Sequence, residues 1–180
     1  MRTLIIVLSF VALAACTGKP GGGDVVLSDR KLDLETFFVG TSVARGQFQD
    51  VFGTVRRRFD VTITGTYDGE TLKLVEDFVY EDGATERRVW TLEKTGEDRW
   101  QGTAPGVEGV ATGIERGDTF NWRYTIDLPV PSADGSVETI KVTFDDWMWL
   151  LSDDRLLNRA YVKRFGVDIG DVIIIFEKDT

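Results

Sequence analysis

The sequence predicts an all-β protein, an antiparallel up-and-down barrel of about ten strands. Three observations carry that expectation. From Ser42 onward, apolar residues alternate with polar ones instead of recurring at helical spacing, which puts alternate side chains on one face of a sheet. Turn signals separate the alternating runs, and several contain Asp-Gly, which tolerates the positive φ of tight hairpins. The connections are too short for crossover helices, so neighbouring strands run antiparallel. Closing such a meander removes exposed edges and encloses its apolar face. A two-sheet β-sandwich is the alternative.

Taken in order, Asp33 to Phe38 is a short apolar-bearing segment, either one helical turn or a first edge strand. Phe59, Val61, Ile63, Gly65 and Tyr67 then share one face, against Arg58, Asp60, Thr62 and Thr64. Leu72, Leu74, Phe78 and Tyr80 repeat the pattern, as do Trp90 and Leu92. It is clearest in Phe120, Trp122, Tyr124, Ile126 and Leu128, and it continues in Ile140, Val142 and Phe144. Residues 153–160 read as a turn entering a strand, and Val172 to Phe176 close the chain with a β-branched run. Asp68-Gly69, Asp82-Gly83, Gly96, Gly117 and Asp134-Gly135 mark turns. Gly102, Gly106, Gly109 and Gly113 fit neither a phosphate loop nor a dinucleotide fingerprint, and read as hairpin and bulge glycines. The expected architecture is therefore a lipocalin-like, calycin-like barrel.

The N-terminus has a different character. Arg2 precedes an apolar run from Leu4 to Ala15, too short to span a bilayer and the right length for a secretion signal. It ends in Leu13-Ala14-Ala15-Cys16, a lipobox pattern in which Cys16 becomes a lipidated N-terminus. Residues 1–15 are thus expected to be a lipoprotein signal peptide, residues 16–30 the lipidated cysteine with a flexible glycine-rich tether, and residues 31–180 one barrel domain. Acyl chains on Cys16 would anchor the protein in a cell envelope. Thr17 stands where aspartate would favour the inner membrane, so the periplasmic face of an outer membrane is the expected location.

Charge and composition exclude several functions. Of 21 basic residues Arg2 lies in the leader, leaving 20 against 30 acidic ones. So acidic a domain does not suit nucleic acid or an electrostatic grip on anionic lipid. The chain has no histidine, and Cys16 is its only cysteine. Histidine-based triads, histidine metal ligation and a free thiol nucleophile are all absent. No metal, cofactor or catalytic residue is expected, and the protein is not expected to be an enzyme.

From Lys31 to Lys178 the chain resembles a family of bacterial lipoproteins called domain of unknown function 3833. The resemblance lies in Leu32-Asp33-Leu34 with Phe38, Arg57-Arg58-Phe59, Phe78 to Gly83, Trp90-Thr91-Leu92, Gly102-Thr103-Ala104 with Gly109, and Ala111-Thr112-Gly113. It is densest at Phe144 to Leu150, followed by Asn158-Arg159-Ala160 and Lys163 to Gly166. Such a family brings no established activity and no catalytic residues.

One constellation stands out. Asp145 and Asp146 are neighbours on a strand, so they point to opposite faces and cannot share a substrate. Asp146 shares parity with Val142, Phe144 and Met148 and should face the apolar interior, where a carboxylate needs a partner. Arg88, on the face of Trp90, and Arg159 are candidates, with Glu76 a further interior acid. Together with Trp122 and Tyr124 these residues form either a polar cluster in a ligand cavity or a structural ion pair closing the barrel. Trp147 and Trp149 fall on the opposite face, where Leu34, Phe37 and Phe38 are expected to pack over them.

These features favour a membrane-anchored carrier or binding module for a fatty acid, lipid or other apolar small molecule. A structural or protein-interaction lipoprotein without ligand is the alternative. A lipid-modifying enzyme using Asp146 or Glu76 ranks third.

Overall fold

The computed structural model describes residues 18–20, 28–131 and 136–179. The apolar run from Leu4 to Ala15, Cys16, Gly21 to Gly23 and the expected turn at Asp134-Gly135 lie outside the described residues. The described chain contains one short helix, α1 (Leu34–Phe38), and ten strands. These are β1 (Gly40–Asp50), β2 (Val55–Tyr67), β3 (Thr71–Tyr80), β4 (Thr85–Gly96), β5 (Arg99–Thr103), β6 (Ala111–Arg116), β7 (Thr119–Pro131), β8 (Val137–Ser152), β9 (Arg155–Arg164) and β10 (Val167–Lys178).

Each strand pairs antiparallel with its sequence neighbours, and β1 pairs with β10 to close the barrel. The meander is up-and-down, as the alternation predicts, and the sandwich alternative is not adopted. The seam sets Ser42 opposite Lys178 and Asp50 opposite Gly170. Four ladders slip register by a bulge, two of them beside glycines at Gly96 and Gly170. Bulges of this kind strengthen local twist and help a sheet to close.

The polarity of the wall fixes what the barrel can enclose. Inward positions carry Ile63, Leu72, Leu92, Phe120 and Trp122, all buried. Outward positions carry paired charges, such as Arg87 with Asp77 at 2.6 Å and Arg123 with Asp145 at 3.0 Å. A barrel spanning a bilayer needs an apolar outer band, which this wall reverses. Among the described residues no helix is long and apolar enough to cross a membrane.

The segment left open between helix and strand forms the helix. The Asp33 side chain caps it by accepting from the Thr36 N–H at 2.9 Å. Spacing of three and four residues puts Leu34, Phe37 and Phe38 on one face, which turns into the end of the barrel. Phe38 meets Phe37 and Phe176 edge-on at 5.0 and 5.7 Å. Gly65 lets this plug settle, because a Cβ there would lie 1.9 Å from the Phe38 carbonyl oxygen. The expectation that Leu34, Phe37 and Phe38 cover Trp147 and Trp149 is therefore corrected. The uncovered end of an apolar lumen offers them more surface to bury than two outer indoles do. Trp147 and Trp149 stack on each other outside, with ring centroids 6.4 Å apart.

Candidate functional site

The lumen is not filled. A cavity of about 370 Å³ runs along its interior, bounded by Leu34 and Phe38 at the plugged end. Toward the other end its lining passes to Arg57, Tyr80, Glu86 and Pro129. Most of the lining is aromatic or aliphatic, and polar groups enter at a few defined positions.

Those positions follow from parity and register. On β3, Glu76 lies between Leu74 and Phe78 on the inward face and directly opposite Arg88 of β4. Glu86, Arg88 and Trp90 alternate inward along β4. On the far wall, Trp122 of β7 is paired with Asp146 of β8, and Tyr124 with Phe144. Tyr124 stacks on Phe144 at 5.0 Å and meets Trp90 edge-on at the same distance. The short strands β5 and β6 make room for these rings. A Cβ on Gly113 would come within 2.4 Å of the Phe120 ring and 2.5 Å of Trp122. The glycines of these strands thus serve ring packing as well as turns.

The charges form an ordered chain. Arg88 donates from Nη2 to Glu86 Oε1 at 2.6 Å, and the Tyr80 hydroxyl donates to Glu86 Oε2 at 2.7 Å. The Arg57 guanidinium sits 3.4 Å over the Tyr80 ring. Burial opposes ionisation of Glu86, yet Arg88 and these hydrogen bonds hold its carboxyl below the usual value. Glu76 behaves differently. Burial pushes its carboxyl up to about 7, outweighing the attraction of Arg88, and the Glu86 charge adds to the rise. Glu76 keeps some accessible area because it faces the cavity, but the apolar walls still deny it bulk water. Asp146 is raised well above its ordinary range, first by burial and then by the charges of Asp145 and Glu76. Tyr124 is raised by burial and by Asp146, with which it is hydrogen-bonded. The Asp146 Oδ1 atom is buried with no hydrogen-bond partner.

The site therefore holds an Asp146 carboxyl that resists ionisation, a neutral Tyr124, an Arg88–Glu86 ion pair and a Glu76 poised to titrate near neutral pH. Such a set can orient one polar group of a ligand while the walls take an apolar body. Among the described residues no cluster of three or more carboxylates could hold a metal ion.

Six sequence-predicted residues, Glu76, Arg88, Trp90, Trp122, Tyr124 and Asp146, line the cavity. Arg159 does not, and its assignment is corrected. On β9 the inward parity belongs to Leu156, Asn158 and Ala160, so Arg159 points outward and donates to Asp171 at 2.5 Å. The sequence reading omitted Arg57, Tyr80, Glu86 and Asn158 as site residues. Arg57, Tyr80 and Glu86 each share parity with an assigned inward residue, and Glu86 is two positions from Arg88, so strict alternation was the signal that could have found them; Asn158 has the opposite parity to Arg159, the residue chosen on its strand.

A family model described as Protein of unknown function (DUF3833) matches residues 10–178. No curated protein matches the chain. Among solved structures, the chain is similar to the S-type phycobiliprotein lyase CPES from Guillardia theta, at 12% identity and a TM-score of 0.58. That alignment covers 83% of this chain and 94% of the lyase. A weaker likeness, at 11% identity and a TM-score of 0.43, is to EF1p2_mFAP2b bound to DFHBI, covering 79% and 94% of the two chains. At such identities the likeness shows the barrel fold alone. The chain belongs to the DUF3833 family.

Proposed function

From membership of a family with no assigned activity, we infer that this barrel is a lipid-anchored binding and carrier module for a lipid or other apolar small molecule. The observation that carries the reading is the cavity of about 370 Å³, within the range of roughly 300–1,000 Å³ typical of small-molecule sites. Its apolar lining suits an acyl or other hydrocarbon body. The unpartnered Asp146 Oδ1 calls for a hydrogen-bonding partner, so the fitting ligand carries a polar head group such as a hydroxyl, amide or carboxyl. The lipobox ending in Cys16 supports attachment to a cell envelope, on the periplasmic side of an outer membrane.

Native mass spectrometry of protein released from its own membranes tests this reading. The expected spectrum shows a non-covalent adduct lost on delipidation, beside acyl mass on Cys16. Titrating oleate into the delipidated protein should then change the emission of Trp90 and Trp122, which face the cavity. An empty barrel whose emission ignores oleate and other amphiphiles would remove the carrier reading.

A further inference from the structure

The barrel end opposite α1 carries apolar side chains that neither core nor cavity uses. Phe52, at the tip of the β1–β2 hairpin, is 90% exposed, and Phe165, at the tip of the β9–β10 hairpin, is 87% exposed. Val51 and Val167 stand exposed beside them. The two tips are neighbours, because β1 and β10 form the barrel seam and both hairpins project past the Asp50–Gly170 pair. Phe165 also has a φ of +52°, a conformation bulky residues rarely adopt. Its ring meets the Arg164 guanidinium, 5.2 Å from the centroid, and turn chemistry does not favour phenylalanine there.

A second observation says what covers these tips. Gly18 to Pro20 lie against the outer wall at this same end. The Lys19 ammonium pairs with Asp168 at 2.5 Å and sits 5.0 Å from the Tyr161 ring, whose hydroxyl donates to the Gly18 carbonyl at 3.3 Å. Asp168 is three residues from Phe165. Cys16 precedes Gly18 by two residues, a chain span of at most about 7 Å. The described chain that follows Cys16 in sequence is therefore fastened to the barrel at the end that carries the two exposed phenylalanines. Rim charges are mutually paired: Arg56 with Asp50, Arg57 with Asp82, Arg58 with Glu81, Lys163 with Asp168 and Arg164 with Glu138. With its charges paired, the rim offers a bilayer apolar insertion, not an electrostatic grip.

We propose that the barrel docks mouth-down on a lipid bilayer, with Phe52 and Phe165 seated at the boundary of head groups and acyl chains. The cavity then opens onto the membrane, and a ligand can pass between the two without crossing bulk water. The docking itself stands on the tips and the Lys19 clasp; only the ligand's route rests on the carrier reading.

Spin labels on the full chain in phosphatidylethanolamine–phosphatidylglycerol vesicles test it. Phe52→Cys and Phe165→Cys report on the tips, and Leu151→Cys reports on the plugged end, where Leu151 is also exposed. Acyl mass on Cys16 is measured alongside, and where that thiol is free the labels are placed in a Cys16→Ser chain. The tip labels should collide with oxygen several-fold more often than with an aqueous nickel chelate, and the Leu151→Cys label should do the reverse. Tip labels as aqueous as the Leu151→Cys label would overturn the docking, whatever Cys16 carries. Membrane-seated tips around an empty cavity would keep the docking and remove the carrier; lipid in the cavity with aqueous tips would do the opposite.

Discussion

The two ends of the barrel divide its work. At the plugged end the helix is tied to the barrel by hydrogen bonds: the Leu32 N–H reaches the Gly117 carbonyl at 2.7 Å, and the Leu34 N–H reaches Glu115 Oε1 at 3.0 Å. Glu35 pairs with Lys94, and the Lys178 ammonium donates to the Thr36 carbonyl. Leu32, Leu34, Phe37 and Phe38 join the main core. At the open end, Ile126, Val142 and Val162 form a smaller core beneath polar lining and bare hairpin tips. One end is built for stability, which leaves the other free to keep residues that stability alone would not favour.

The largest effect should come from breaking the plug. Phe38→Ala removes a buried ring from the junction of helix, β2 and β10, and should cost about 3–5 kcal/mol in urea denaturation. A loss below about 1 kcal/mol would mean that the plug lies outside the cooperative core.

A smaller effect belongs to the cavity between the ends. The folded-state value of Glu76 is about 7, against an ordinary 4.5. Between those values the unfolded chain gives up its proton first, so the folded state loses stability as pH rises through that window. Below it no penalty applies, and above it the whole penalty does. Allowing for the group's partial access to the cavity, it is on the order of 2 kcal/mol. Asp146, raised in the same direction, contributes with the same sign, its stability lost as pH rises. Glu76→Gln should flatten the pH profile and stabilise the protein on the alkaline side; an unchanged slope would place the Glu76 carboxyl in contact with bulk water.

The smallest effect sharpens the contrast. Phe52→Ser together with Phe165→Ser should change folding stability by no more than about 0.5 kcal/mol, since neither ring packs against the core. A loss comparable to that of Phe38→Ala would erase the distinction between the ends.

How much of this the sequence discloses depends on the range of the interaction involved. Alternation is a local property of an extended chain, so the inward faces of β2, β3, β7 and β8 were legible, as were Asp146 and Glu76 as interior acids. Arg159 was misplaced because it was chosen for its charge, although the parity of Leu156 and Ala160 on its own strand sent it outward. The destination of α1 was hidden, because a five-residue apolar helix can cover any nearby apolar surface. The cavity could not be read either, since empty volume depends on how Trp122, Tyr124 and Phe120 fit against strands distant in sequence.

The seam between β1 and β10 has a consequence for how the chain comes to be folded. Every other ladder joins strands adjacent in sequence, so each hairpin can zip as soon as its second strand is available. The seam instead pairs residues 42–50 with residues 170–178, the longest loop closure in the molecule. Until the final strand is synthesised, β1 waits with one edge unsatisfied, a template for any other extended chain nearby. A nascent or truncated copy lacking β10 would therefore be the aggregation-prone species, and the last dozen residues decide whether the barrel is sealed or sticky.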